Sequence, residues 1–206
     1  MRSTVFIFAL AAGASYYLSR WLVIPPDLLV VWKGAGVALL ALWAALHARS
    51  LDGWLITAAL ALGALGDVLL ETHGLAIGAI AFLAGHLVAV GLYLRNRAVP
   101  VWHALVIAAA VVVVSWLLPV EREAATGVAV YAAGLGLMAG TARTSSFPRH
   151  QVALGAMLFV LSDLLIFGKG GAFDLRLAEL LIWPTYFAGQ ALIAHGVVTT
   201  LEREKA

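Results

Sequence analysis

Four ionisable side chains stand inside stretches otherwise built from Ala, Leu, Val, Ile and Gly. Asp67 lies in Gly63-Ala-Leu-Gly66-Asp67-Val-Leu-Leu70 and Asp163 in Phe159-Val-Leu-Ser162-Asp163-Leu-Leu-Ile166. Lys33 follows Val31-Trp32, and His86 follows Ala84-Gly85. A pair of carboxyl groups can divide proton donation from charge stabilisation when their surroundings differ. Glu71, four residues after Asp67, shares its helix face. Gln190 follows Tyr186 at the same interval and presents further hydrogen-bonding groups. Of the other histidines, His47, His73, His103 and His150 fall at segment ends, and His195 falls within the last segment.

The elements that carry these residues follow from composition. Of 206 residues, 63% are hydrophobic and 12% charged, against about 25% charged in soluble domains. A soluble fold of this size could not hide so much apolar surface. The net charge of +2 and the scattered basic residues give no nucleic-acid footprint. The absence of cysteine excludes disulfide and thiolate chemistry.

Spanning helices need about 17–25 mostly apolar residues. Eight segments are expected: 4–19, 28–47, 54–70, 75–94, 101–118, 124–142, 151–168 and 177–200. The fold class is therefore all-α, a polytopic membrane protein forming one integral membrane domain over 1–206. Connections are short and carry breakers such as Pro25-Pro26-Asp27 and Ser50-Leu51-Asp52-Gly53. The first segment also has a signal-peptide reading, with Arg2, a short apolar run and Ala12-Gly13-Ala14. Pro119 and Pro184 are expected near helix ends, and Trp21, Trp32, Trp54, Trp102, Trp116 and Trp183 at the membrane interface. Gly74-x-x-x-Gly78 and Gly136-x-x-x-Gly140 are expected as close-packing faces.

With a cytoplasmic amino terminus, eight basic residues fall on the cytoplasmic side: Arg2, Arg49, Arg95, Arg97, Arg143, Arg149, Arg203 and Lys205. Five fall outside: Arg20, Lys33, Arg122, Lys169 and Arg176. The bias places both termini in the cytoplasm and the protein in a plasma membrane, a bacterial inner membrane by expectation. A weak internal repeat relates the Asp67 and Asp163 segments at an offset of 96 residues. It also relates Phe82-Leu-Ala84-Gly85-His86 to Tyr186-Phe187-Ala188-Gly189-Gln190 at 104. Each half, about 1–100 and 101–206, would hold four helices, so the repeats would be parallel.

Charge inside hydrocarbon costs about 2.5–3.5 kcal/mol on insertion scales, so such residues read as functional. Asp67 and Asp163 lie toward the outer ends of their helices, and one polar cavity open to that side would contain them with Lys33, His86 and Gln190. Structural readings stand beside this: an ion-pair network that fixes packing, a lysine snorkelling to the interface, a histidine bonding one helix to another.

The motifs together resemble the YhhN-like lysoplasmalogenase family of eight-helix membrane proteins, over nearly the whole chain. The resemblance is carried by Lys33, Leu65-Gly66-Asp67, Gly85-His86, Gly155-Ala-Met-Leu-Phe159-Val-Leu-Ser162-Asp163 and Tyr186-Phe187-Ala188-Gly189-Gln190. This chain has Gly34 after the lysine where the family usually has Pro. Some members replace the second aspartate with Asn, which makes Asp67 the stronger catalytic candidate. The resemblance implies hydrolysis of the vinyl ether bond of lysoplasmalogen to a fatty aldehyde and glycerophosphoethanolamine or glycerophosphocholine. It implies Asp67, Asp163 and His86 as catalytic residues, with Lys33, Tyr186, Gln190, Ser162 and Glu71 binding or orienting. No metal ligands and no cofactor are expected. The partners are a lysophospholipid substrate and bilayer lipids, without nucleic acid; the oligomeric state stays open, a homodimer included. Two other functions compete: a metal-dependent lipid hydrolase of the alkaline ceramidase type, and a non-enzymatic lipid or solute transporter. His86 and His195 are the only deep histidines, and no pair has i, i+4 spacing, so zinc would lack its usual three protein ligands.

Overall fold

A computed structural model describes residues 2–204; Lys205, counted above with the cytoplasmic charges, lies outside them. The fold is all-α. The described residues form eight α-helices: α1 (Arg2–Tyr16), α2 (Pro26–His47), α3 (Leu51–His73), α4 (Leu75–Arg95), α5 (Trp102–Leu117), α6 (Ala125–Thr144), α7 (Leu154–Phe167) and α8 (Leu175–Arg203). Six are long and apolar enough to cross a membrane: α2, α3, α4, α8, and α6 and α7 with the short 3₁₀ and π turns that lead into them. α1 and α5 are shorter, at 15 and 16 residues. A rise of about 1.5 Å per residue leaves each short of the roughly 30 Å hydrocarbon thickness. A 3₁₀ turn, Tyr17–Trp21, follows α1.

Local chemistry sets the boundaries. α2 starts on Pro26, whose missing amide costs nothing at the first helical position. α3 starts three residues before the expected Trp54. Ser50 caps it, its Oγ accepting from the Gly53 amide, and Asp52 sits in the first turn where the helix dipole favours a negative charge. α3 ends at Gly74, whose φ of 84° suits a residue without Cβ. Gly74 is thus a turn residue rather than half of a packing face.

The chain forms two compact units. The first comprises residues 1–92 and 194–206, the second residues 93–193. In the first, α2 packs on both α1 and α3. α3 and α4 approach through glycines. A Cβ on Gly66 would strike the Phe82 ring at 2.8 Å, one on Gly78 would strike Leu70 at 2.8 Å, and one on Gly85 would lie 3.1 Å from the Ala59 carbonyl. The last part of α8 belongs to this unit: His195 stacks on Trp43 at 6.2 Å, with Phe6 on both. Below them, His47 Nδ1 donates to the Trp43 carbonyl and Nε2 faces Glu202 at 3.7 Å.

In the second unit α5 and α6 pack closely. Gly136 lies against Ala108 and Val111, and Gly140 against Ala104, as expected of a small-residue face. α7 and α8 meet where Gly155 and Gly189 face each other; a Cβ on Gly189 would lie 2.6 Å from the Gly155 carbonyl oxygen. Pro184 is inside α8, not at its end, yet the helix continues through it. Ser162 Oγ and Thr185 Oγ1 both donate to the Ile182 carbonyl in the turn before the proline. The amide that Pro184 lacks would have bonded the Leu180 carbonyl, so these hydroxyls reinforce the turn beside the gap rather than fill it. Trp183 is likewise not an interfacial anchor. It is buried at 8% exposure and stacks on Phe187, whereas Trp21, Trp54, Trp102 and Trp116 are exposed as expected.

Gly140→Val forces a branched side chain into the Ala104 backbone. It is expected to lower thermal stability in detergent by about 1–3 kcal/mol, the usual cost of overpacking. Gly127→Ala, on the same helix but with open space around it, should instead raise stability by about 0.4–1 kcal/mol.

Candidate functional site

The first unit gathers polar groups from three helices. Asp67 on α3 is 2% exposed and His86 on α4 is 4% exposed. Lys33 Nζ on α2 donates to Glu71 Oε1 on α3 and makes a direct ion pair with it. The Tyr16 phenol at the end of α1 lies within electrostatic reach of Glu71 and Asp67. Nearby on the chain, Trp32 Nε1 donates to Ser15 Oγ at 3.0 Å and ties α2 to α1.

The register of α3 on α4 fixes the relative depth of the two buried groups. Gly66 faces Phe82 and Gly78 faces Leu70, so His86 stands level with about Leu62. Five residues separate Leu62 from Asp67, so the histidine lies roughly 8 Å further along the axis.

Gly34 explains how Lys33 reaches Glu71. A Cβ at Gly34 would meet Val68 Cγ2 at 2.9 Å, so its absence lets α2 and α3 close on one another. The lysine's partner is therefore Glu71, not an aspartate. A half-buried pair of this kind, with side-chain exposures of 13% and 30%, neutralises the carboxylate four residues from Asp67. Arg20 and Asp52 also have partners in the structure.

The second unit holds the other aspartate. Asp163 on α7 is 6% exposed, and Tyr131 on α6 donates its hydroxyl to Asp163 Oδ2 at 2.8 Å. The Tyr131 ring sits edge-on to Phe167. Tyr186 and Gln190 on α8 are both buried, and Gln190 Nε2 reaches toward the Tyr186 hydroxyl at 3.5 Å. Phe159 and Trp183 contact the Tyr186 ring. Ser162, expected as an orienting residue, spends its hydroxyl on the Ile182 carbonyl.

Tyr131 and Tyr16 were not singled out from sequence, and Trp183 was expected at the interface rather than in contact with Tyr186. The usable signal for Tyr131 was position: it lies two turns inside α6 rather than at its end, where a phenol needs a partner. Among the described residues no group of three or more His, Asp or Glu side chains is placed to hold a metal ion. His195 in particular is occupied by Trp43 and Phe6.

Comparison with protein families matches residues 28–197 to the YhhN family, a stretch that contains every residue above except Tyr16, Arg20 and Ser15 with its α1 neighbours. No curated protein and no solved structure matches the chain.

Lys33→Met removes the ammonium from Glu71 and is expected to cost about 1–2 kcal/mol, between exposed and fully buried pairs. Lys33→Met with Glu71→Gln should recover most of that loss. Thermal unfolding of these variants and of Glu71→Gln alone measures the coupling; a double variant destabilised by the sum of the two single losses would mean the pair has none.

Proposed function

This chain belongs to the YhhN family, and from that premise we propose that it is a membrane hydrolase that cleaves the vinyl ether bond of lysoplasmalogens. The products are a fatty aldehyde and a glycerophospho-base, glycerophosphoethanolamine or glycerophosphocholine. The observation that carries this reading is the burial of two aspartates, Asp67 and Asp163, on helices long enough or nearly long enough to span a bilayer.

A vinyl ether resists base and yields to acid. Protonation of its β-carbon gives an oxocarbenium ion. Water adds to the cationic carbon, and the hemiacetal collapses as the C–O bond to glycerol breaks and that oxygen takes a proton. The reaction needs a proton donor, a negative charge near the cation and a group that accepts a proton from water. Asp67 is assigned as the donor. Asp163, which already accepts the Tyr131 hydroxyl, is assigned as charged stabiliser and base. His86 is assigned as the orienting group in the first unit and Tyr186 and Gln190 as those in the second, and no metal or cofactor enters the scheme. The chain of the substrate lies among apolar helix faces, so the lipid itself is delivered from the bilayer. Loop charges put both termini in the cytoplasm.

The parallel repeat gains support from packing. Gly85 stands over the Ala59 carbonyl and Gly63 amide; Gly189 stands over the Gly155 carbonyl and Phe159 amide. Ala59 to Gly155 and Gly63 to Phe159 are both offsets of 96, and Gly85 to Gly189 is 104. These are the offsets that relate Asp67 to Asp163 and His86 to Gln190. The transporter reading draws no comparable support, since α8 runs unbroken through Pro184 and paired unwound helices are the hallmark of such sites.

Purified protein in detergent is expected to release aldehyde from lysoplasmalogen. Asp67→Asn should reduce turnover by about 10²–10⁴-fold, the scale of general acid catalysis, while eluting as folded protein. Asp163→Asn should cost less. Full activity in Asp67→Asn would overturn the assignment, and no aldehyde release from the wild type would overturn the function.

A further inference from the structure

One buried hydroxyl in the second unit has no partner where its neighbours find one. Thr57, Thr141, Thr185 and Thr199 each donate to a carbonyl one turn back along their own helices. Ser162 donates across to α8. Ser115 Oγ on α5 does neither: it is fully buried, at 0% exposure, with no hydrogen-bond partner among the described residues. Leaving such a group unsatisfied is costly, and alanine would pack the same space without that cost.

Its position is set by the α5–α6 register. Ala104, Ala108, Val111 and Ser115 form one buried stripe, repeating at three and four residues as one helix face does. Ala104 faces Gly140, and Ala108 and Val111 face Gly136. Continuing this antiparallel register brings Ser115 level with residues 129–132 of α6, the turn that carries Tyr131. From the other side, Leu118 meets Gly168 across α5 and α7. Ser115 therefore stands level with about Leu165, within roughly 3 Å along the axis of Asp163. The other buried hydroxyl without a partner, Tyr93, packs against Phe147 beyond the opposite end of α6.

We propose that Ser115 is a positioning residue that holds, beside the Tyr131–Asp163 pair, the water molecule consumed in the hydrolysis. A buried water makes about three hydrogen bonds; Ser115 Oγ and an Asp163 oxygen supply two of them. The water oxygen forms the new bond to the oxocarbenium carbon, and its proton passes to Asp163. Ser115 exchanges no proton and touches the substrate only through that water. The inference rests on the proposed hydrolase function for its chemistry, and on orphaned hydroxyl and register for its location.

Two measurements on the purified full-length protein test it. The first is a double-mutant cycle in thermal unfolding with Ser115→Ala and Asp163→Asn. If the hydroxyl shares a water with the carboxylate, Ser115→Ala lowers the midpoint in the wild type and has little effect beside Asp163→Asn. Additive effects, or a midpoint raised by Ser115→Ala alone, would show an isolated hydroxyl and overturn the proposal. The second is kinetic: Ser115→Ala should lower kcat about tenfold or more, as misplacement of a reacting group does, with KM unchanged. Unchanged kcat would also overturn it. The cycle needs no enzymatic turnover, so a wild type without aldehyde release refutes the hydrolase reading while the cycle still decides whether Ser115 is joined to Asp163.

Discussion

Hydrocarbon supplies no hydrogen-bond partners, so the backbone and the polar side chains that this chain carries into its helices draw theirs, with few exceptions, from another helix or from their own backbone. That constraint acts through distance. Two helices exchange hydrogen bonds between short side chains only where their backbones come close, and here small residues create the approach. Gly85 over Ala59, Gly189 over Gly155, and Gly136 and Gly140 against α5 each remove a Cβ that would hold the helices apart. With no hydrophobic drive between helices in lipid, such contacts also supply much of the packing energy.

The charged groups follow from these approaches. Gly34 lets α2 close on α3, and Lys33 then reaches Glu71. The pair satisfies two charges and leaves Asp67 as the fully buried carboxyl group on α3. In the second unit α6 supplies a neutral phenol to Asp163 rather than a cation. Two carboxyl groups take different parts in acid–base chemistry when their surroundings differ. Pro184 shows the same constraint in backbone form. In the turn it weakens, the Ile182 carbonyl accepts from the hydroxyls of Ser162 and Thr185, one from across the helix pair and one from α8 itself.

Much of this was legible from residue types. The helices follow from apolar run length and breakers, and all eight lie within a few residues of their expected bounds. Two shifts of three residues have a local cause: at α3 the Ser50 cap extends the helix toward its start, and at α7 a π turn over Arg149–Ala153 takes up the first expected residues. Asp67, Asp163, His86 and Lys33 stood out because charge and polarity are costly in an apolar stretch, and that cost is a property of the residue alone. Family membership, too, rested on short motifs in fixed order.

What sequence could not decide was pairing. Lys33 had several carboxylates within plausible reach, and choosing Glu71 required the α2–α3 register. Tyr131 and Ser115 look like ordinary residues of apolar helices until α5, α6 and α7 are set side by side. Trp183 reads as an interfacial anchor by its place near a segment end, but the packing of α8 turns it inward onto Phe187. The sequence by itself determined which residues are costly to bury, because that cost is set by each side chain against hydrocarbon. The tertiary structure decided which of them meet, because hydrogen bonds and ion pairs are short-ranged, and their partners lie on helices whose relative register is fixed by packing.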